Sequence, residues 1–111
     1  MGYTIVHHEG RFLEWSSIID APICFGMDAV AFRDWCVAKY GTEGAWNLQR
    51  RMDDAVTYGS SAKQSLKEIV WHNRAGPGEG QMTVEDVIRF YFVERRRPKY
   101  GEVVCVPDEE A

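Results

Sequence analysis

Glycines and prolines cut this chain short. Gly41, Gly59, the Gly76-Pro77 pair and Pro98 each fall where a helical apolar pattern would otherwise run on, so each helix must be brief. Brief helices have little stability of their own and must be held by packing against a common surface. Residues 3–16 are the candidate surface. YTIVHH and RFLEWS are rich in strand formers and flank Glu9-Gly10, which predicts a β-hairpin. The next segment, SIIDAPICFG, is apolar but interrupted at Asp20-Ala21-Pro22. Proline donates no ladder hydrogen bond, so this stretch is an edge strand or an ordered loop on the core.

Four helices are expected after it. Asp28 is an N-cap candidate, and Ala29, Phe32, Cys36 and Tyr40 follow at helical spacing, with Trp35 beside them and Gly41 as the stop. Thr42 caps the second helix, whose stripe is Ala45, Leu48, Met52, Ala55 and Val56. Arg50, Asp53, Asp54 and Thr57 face away from it, and Gly59 is its end. Ser60 or Ser61 opens the third, with Ala62, Leu66, Ile69 and Val70 inward. The fourth has the strongest start signal: Thr83 as cap, Asp86 at the capping-box position, and Met82 with Val87 as the hydrophobic staple. Val84, Val87, Ile88 and Tyr91 then form a stripe that Phe90 and Phe92 widen. GEVVCV, beginning at Gly101, reads as a last strand. A lone hairpin is marginal in water, so this strand is expected to pair with it. The expected fold class is α+β: an N-terminal β-hairpin, four short helices and a C-terminal strand pairing with the hairpin. Residues 1–107 form one globular domain and 108–111 an acidic tail.

Composition limits the function classes. With 111 residues, 45% apolar and 27% charged, the chain is long enough for one cored domain. Its net charge of −4 argues against a strongly basic nucleic-acid module. Cys24, Cys36 and Cys105 show no metal-ligand spacing, and each reads as a small buried hydrophobe in a reduced, cytoplasmic protein. No apolar run approaches the ~20 residues of a membrane span, and no signal sequence is expected.

No catalytic motif stands out. GxSxG, HExxH and a Cys–His pair of known spacing are all missing from the sequence. His7 and His8 are adjacent in a predicted strand and so point to opposite faces, which keeps one metal from taking both. No cofactor, metal or catalytic residue is therefore assigned. Two segments remain as contact candidates. In NRAGPGEG, residues 73–80, Gly76 and Pro77 account for a helix stop, and the run lacks the lysine and the preceding strand of a phosphate loop. The same loop also suits a contact site, with Arg74 for an anion, Glu79 at the tip, and Gly78 and Gly80 allowing close backbone approach. In ERRRPK, Arg95, Arg96, Arg97 and Lys99 are either a helix end that suits the dipole or a basic patch for nucleic acid or an acidic protein surface. The acids at 108–110 oppose the second reading.

Taken together, WSSIIDAPICFGM, NRAGPGEG and MTVEDVIRFY resemble small uncharacterised accessory proteins of tailed bacteriophages. The resemblance spans most of the chain and implies a setting, the host bacterial cytoplasm, but no activity. The function expected is non-enzymatic: stoichiometric contact with a host or phage protein, as an inhibitor or modulator. The alternatives are a sponge or sensor for a small anionic ligand such as a nucleotide, and a nucleic-acid contact through residues 95–99.

Overall fold

A computed structural model describes residues 3–105. β1 (Tyr3–His8) and β2 (Arg11–Ser16) pair antiparallel, with Tyr3 opposite Ser16 and His8 opposite Arg11. Glu9 and Gly10 both take positive φ, 47° and 81°, the turn whose twist matches a hairpin. β3 (Ala21–Pro22) joins the far side of β2, giving the order β1-β2-β3. Pro22 thus sits on an edge, where its missing N–H costs no ladder bond. Beyond it the chain bows out and rejoins β2, where Phe12 and Met27 exchange bonds of 2.7 and 2.8 Å.

The third strand is therefore β3, not the C-terminal segment. Residues 102–105 form no strand with the hairpin; Val103 makes an isolated bridge to Tyr100. Val106 and the acidic 108–111 segment lie outside the described residues. Both sheet edges are already taken. β3 and Met27 cover β2, and the turn at residues 59–61 covers β1: the His7 N–H donates to Gly59 O (3.0 Å), the Ser61 N–H to Ile5 O (2.8 Å), and the Ile5 N–H to Ser61 Oγ (2.9 Å). This also corrects the third helix. Ser60 and Ser61 serve the sheet rather than a helix start, since their hydroxyls compete for backbone partners. The helix shrinks to one turn, α3 (Leu66–Ile69), opened by a capping box between Ser65 and Glu68.

The sheet is covered on both faces. Ile5 and Phe12 point to one side, where Phe32 and Cys36 of α1 (Ala29–Gly44) and Leu48, Met52 and Ala55 of α2 (Leu48–Tyr58) bury them. Val6, Leu13 and Trp15 point to the other, against Val70, Met82, Val87, Phe90, Tyr91 and Phe92. His7 contacts Phe12 on the first side and His8 contacts Phe92 on the second, as alternation requires.

Asp28 caps α1, its Oδ1 accepting from the Ala31 N–H at 2.8 Å. Gly41 (φ 77°) bends the helix, and the chain turns through residues 45–47 into α2, which starts at Leu48, later than the Thr42 cap expected from sequence. Thr83 caps α4 (Val84–Val87), accepting from the Asp86 N–H at 3.1 Å. Ile88–Glu94 then widen into a π-helix. The wider coil lets three consecutive rings, Phe90, Tyr91 and Phe92, all be buried, which one face of an α-helix does not permit. It also leaves Tyr91 O to accept from the Gly26 N–H (2.8 Å) and Phe92 O to accept from Arg11. Among the described residues, no helix is long and apolar enough to cross a membrane.

Candidate binding cleft

Strand alternation places Glu14 on the α1–α2 face, directly opposite Ile5 in β1. Both faces of this sheet are covered, so Glu14 lies in the interior with 0% exposure. Tyr40, at the end of the regular part of α1, donates its hydroxyl to Glu14 Oε1. No group among the described residues donates to Oε2. A buried polar atom left unsatisfied costs about 1–3 kcal/mol, and more when charged. Burial, the hydrogen bond to Glu14 and the charge of Glu14 together push the Tyr40 phenol well above its ordinary range, so it keeps its proton and acts as a donor. Burial pushes the neighbouring thiols up as well, Cys24 to about 11 and Cys36 to about 12; the Glu14 N–H, donating to Cys24 Sγ at 3.3 Å, offsets part of this at Cys24, and the Glu14 charge adds to both.

Glu14 forms part of a cleft of about 450 Å³, walled by Tyr3, Tyr40, Glu43, Trp46, Asn47 and Arg51. Each wall has a structural origin. Tyr3 begins β1 at the sheet end, Glu43 and Trp46 lie in the corner that the Gly41 bend creates, and Arg51 stands on the first turns of α2. Arg51 is only loosely held, with Nη2 3.4 Å from Tyr3 O. Lys39 sets its ammonium over three rings, at 4.8 Å from Trp35, 5.3 Å from Tyr40 and 5.6 Å from Tyr3, within cation–π range. Trp46 is 80% exposed. It walls this cleft and also a second of about 350 Å³, lined by Arg33, Val37, Thr42, Ala45, Leu48 and Gln49.

The residues singled out from sequence lie elsewhere. The glycine-rich loop is fixed at its base by Asn73, whose Nδ2 donates to Val70 O (2.9 Å) and Met82 O (2.8 Å) and whose Oδ1 accepts from the Met82 N–H (2.9 Å) and the Ala75 N–H (3.2 Å). Its open glycine faces hold the protein's own C-terminal segment. A Cβ at Gly78 would lie 2.6 Å from the Tyr100 hydroxyl, and one at Gly80 would lie 2.3 Å from Cys105 Sγ. Arg74 and Glu79 are exposed, and the Arg74 N–H donates to Asp20 O at 2.7 Å.

In the basic segment, Arg96 grips Glu102 with two bonds of 2.7 and 2.8 Å and also bonds Glu94. Arg89 takes the other oxygen of Glu94, and both guanidiniums lie 4.9 Å from the Phe90 ring centroid. Arg95 takes the left-handed conformation that ends the π-helix, and Arg97 approaches Tyr91. The Lys99 N–H donates to Glu102 Oε1 at 2.7 Å. Among the described residues, the acids that offset this segment are Glu94 and Glu102; those at 108–110 lie outside them. Of the three cysteines, Cys36 is buried and Cys24 half-buried, but Cys105 is exposed, against the expectation of burial for all three.

Glu14 and Trp46 escaped the sequence reading. A signal for Glu14 existed, since RFLEWS carries apolar side chains on both alternating faces, so a glutamate at its centre has no solvent side. Trp46 carried a signal too, since helical spacing puts it with Arg50, Asp53 and Thr57 on the face away from the apolar stripe. No protein-family model, curated protein or solved structure matches this chain.

Proposed function

We propose that this chain is a non-enzymatic binding protein that engages a protein partner, of a bacterial host or of a phage, through the corner between α1 and α2. The observation that carries this is Trp46, left 80% exposed on the ridge between two clefts. Tryptophan is the residue most enriched at the energetic centres of protein interfaces, where it fills a partner's pocket while its surroundings exclude water. Val37 and Tyr3, also exposed, add apolar area on either side of the ridge. The Glu14–Tyr40 pair supports binding over proton transfer, because a phenol held this firmly in its neutral form neither gives up nor returns a proton readily at ordinary pH. The resemblance to tailed-phage accessory proteins supplies the setting, a bacterial cell.

The test is affinity capture from bacterial lysates with the unaltered protein, Trp46→Ala and Trp71→Ala, identifying bound proteins by mass spectrometry. Trp71 is the control, half exposed beyond α3. One identified protein, at near-stoichiometric yield, held by the unaltered protein and Trp71→Ala but lost with Trp46→Ala, is the expected result. Failure to recover any such protein from several hosts overturns the proposal.

A further inference from the structure

We infer that the Glu14 cleft is a subsite for a cationic side chain of the partner, an arginine or lysine whose N–H donates to Glu14 Oε2. The inference rests on the binding function proposed above and names the chemistry that the partner presents. Four observations converge on it. Oε2 is buried and lacks a donor among the described residues, whereas Oε1 is taken by Tyr40. A carboxylate oxygen only accepts, so what completes it must carry N–H or O–H. Two carboxylates, Glu14 and Glu43, line the cleft against Arg51, with the Lys39 ammonium over its Tyr3 and Tyr40 walls; once Arg51 swings out, one cation faces two carboxylates and the lining favours a positive occupant. The walls also offer the faces of Tyr3, Tyr40 and Trp46. The chain's own Lys39 already sits over the Tyr3 and Tyr40 rings, which shows that these rings accept an ammonium.

The geometry restricts the contact further. A guanidinium facing a free carboxylate normally binds both oxygens at once. With Oε1 engaged by Tyr40, only Oε2 is left, so the occupant makes one charge-assisted bond and lays its stem along the rings. Both arginine and lysine meet that requirement, and a quaternary ammonium, having no N–H, does not. A cleft of about 450 Å³ leaves room for the alkyl stem as well as the charged head. Arg51, tethered to Tyr3 O by a single 3.4 Å contact, is the side chain that moves aside to admit it.

The experiment uses the full chain and small mimics, so it does not depend on the partner's identity. N-acetyl-arginine-methylamide, N-acetyl-lysine-methylamide and tetramethylammonium are titrated to their solubility limits, following amide and indole NMR signals of Tyr40, Arg51 and Trp46. The expected result is saturable shifts from the first two probes and much weaker ones from the third, which meets the rings but not Oε2. Glu14→Gln, which keeps the shape of the side chain, is expected to weaken both by at least about tenfold, the lower end for a hydrogen bond to a charged group. Absence of shifts, equal shifts from tetramethylammonium, or undiminished binding to Glu14→Gln overturns the inference. Should Glu14→Gln fail to fold, Tyr40→Phe decides. Freeing Oε1 must raise the preference for the arginine mimic over the lysine mimic at least about threefold, since the fork then finds both oxygens; an unchanged preference overturns it. Silent mimics alongside a partner still lost with Trp46→Ala would remove this subsite and leave the docking proposal standing.

Discussion

Replacing Asn73 with alanine should cost this protein a large share of its stability. The side chain is 2% exposed, and it closes the loop from Val70 to Met82 with the bonds described above, two donated and two accepted. Each such bond contributes about 1 kcal/mol net, and each buried backbone group left without a partner costs about 1–3 kcal/mol. Some of the orphaned groups will find water in the space that alanine leaves, so the expected loss is about 3–5 kcal/mol. Against a total stability of roughly 5–15 kcal/mol, that is about a fifth or more of what holds a domain of this kind folded. The melting temperature should fall by about 12–20 °C, taking roughly 4 °C per kcal/mol for this size. Calorimetry and urea unfolding measure it, with a lowered midpoint at unchanged slope. Asn73→Asp sharpens the test: it keeps the acceptor but turns an oxygen towards Val70 O and Met82 O, and should destabilise almost as much at neutral pH. A loss below about 1 kcal/mol for Asn73→Ala would refute the claim that this side chain, and not the glycines, fixes the loop.

Other consequences are simpler to check. Burial raises the Cys24 and Cys36 thiols to about 11 and about 12, so a thiol reagent at pH 8 should label Cys105 alone at an unhindered rate in the native protein; fast labelling of two or more sites would contradict this packing. Removing residues 101–111 should cost only about 1–2 kcal/mol, because among the described residues it takes away the half-buried Val103 and the ion pair of Glu102 with Arg96 rather than a sheet strand. Loss of cooperative melting in that truncation would place the segment in the core after all. Glu102 is held down to about 2, first by its hydrogen bonds from Arg96 and then by the Lys99 N–H. A carboxylate depressed on folding stabilises above its unfolded pKa and loses that contribution as pH falls through the folded one, so the effect should vanish between pH 4.5 and about 2. Glu102→Gln should flatten the melting temperature over that window; an unchanged slope would show that the pair is broken in solution.

How much of this was legible in the sequence depends on how local each signal is. The hairpin, the Asp28 and Thr83 caps and the Gly59 stop rest on residues within a few positions of one another, and the structure has them where the pattern put them. The edge placement of Pro22 followed from its missing donor. The start of α2 was missed locally, at the bend after Gly41, but the larger errors are long-range. Ser60 and Ser61 look like a helix start until β1 needs an edge partner 56 positions away. The apolar, β-branched VVCV run is a reasonable strand, but no sequence pattern reveals that both sheet edges are already covered. The π-helix follows from the need to bury three successive aromatic rings, which depends on the opposing sheet. The candidate site failed for the same reason. NRAGPGEG and ERRRPK are conspicuous locally, and much of their conspicuous chemistry is used within the protein, by Tyr100, Cys105, Glu94 and Glu102. Glu14 shows only as the glutamate at the centre of a strand apolar on both faces, a weaker mark than a run of glycines or arginines.

Partner binding is placed at the α1–α2 corner, with Trp46 as its anchor. The most direct measurement is the dissociation constant of the purified partner, by calorimetric titration, for the unaltered protein, Trp46→Ala and Trp71→Ala. An anchoring tryptophan contributes 2 kcal/mol or more, so Trp46→Ala should weaken binding by about 30-fold or more. Trp71→Ala, on the far side of the sheet beyond α3, should leave it within about twofold. A partner that binds Trp46→Ala as tightly as the unaltered protein, or that is lost with Trp71→Ala instead, would contradict the account.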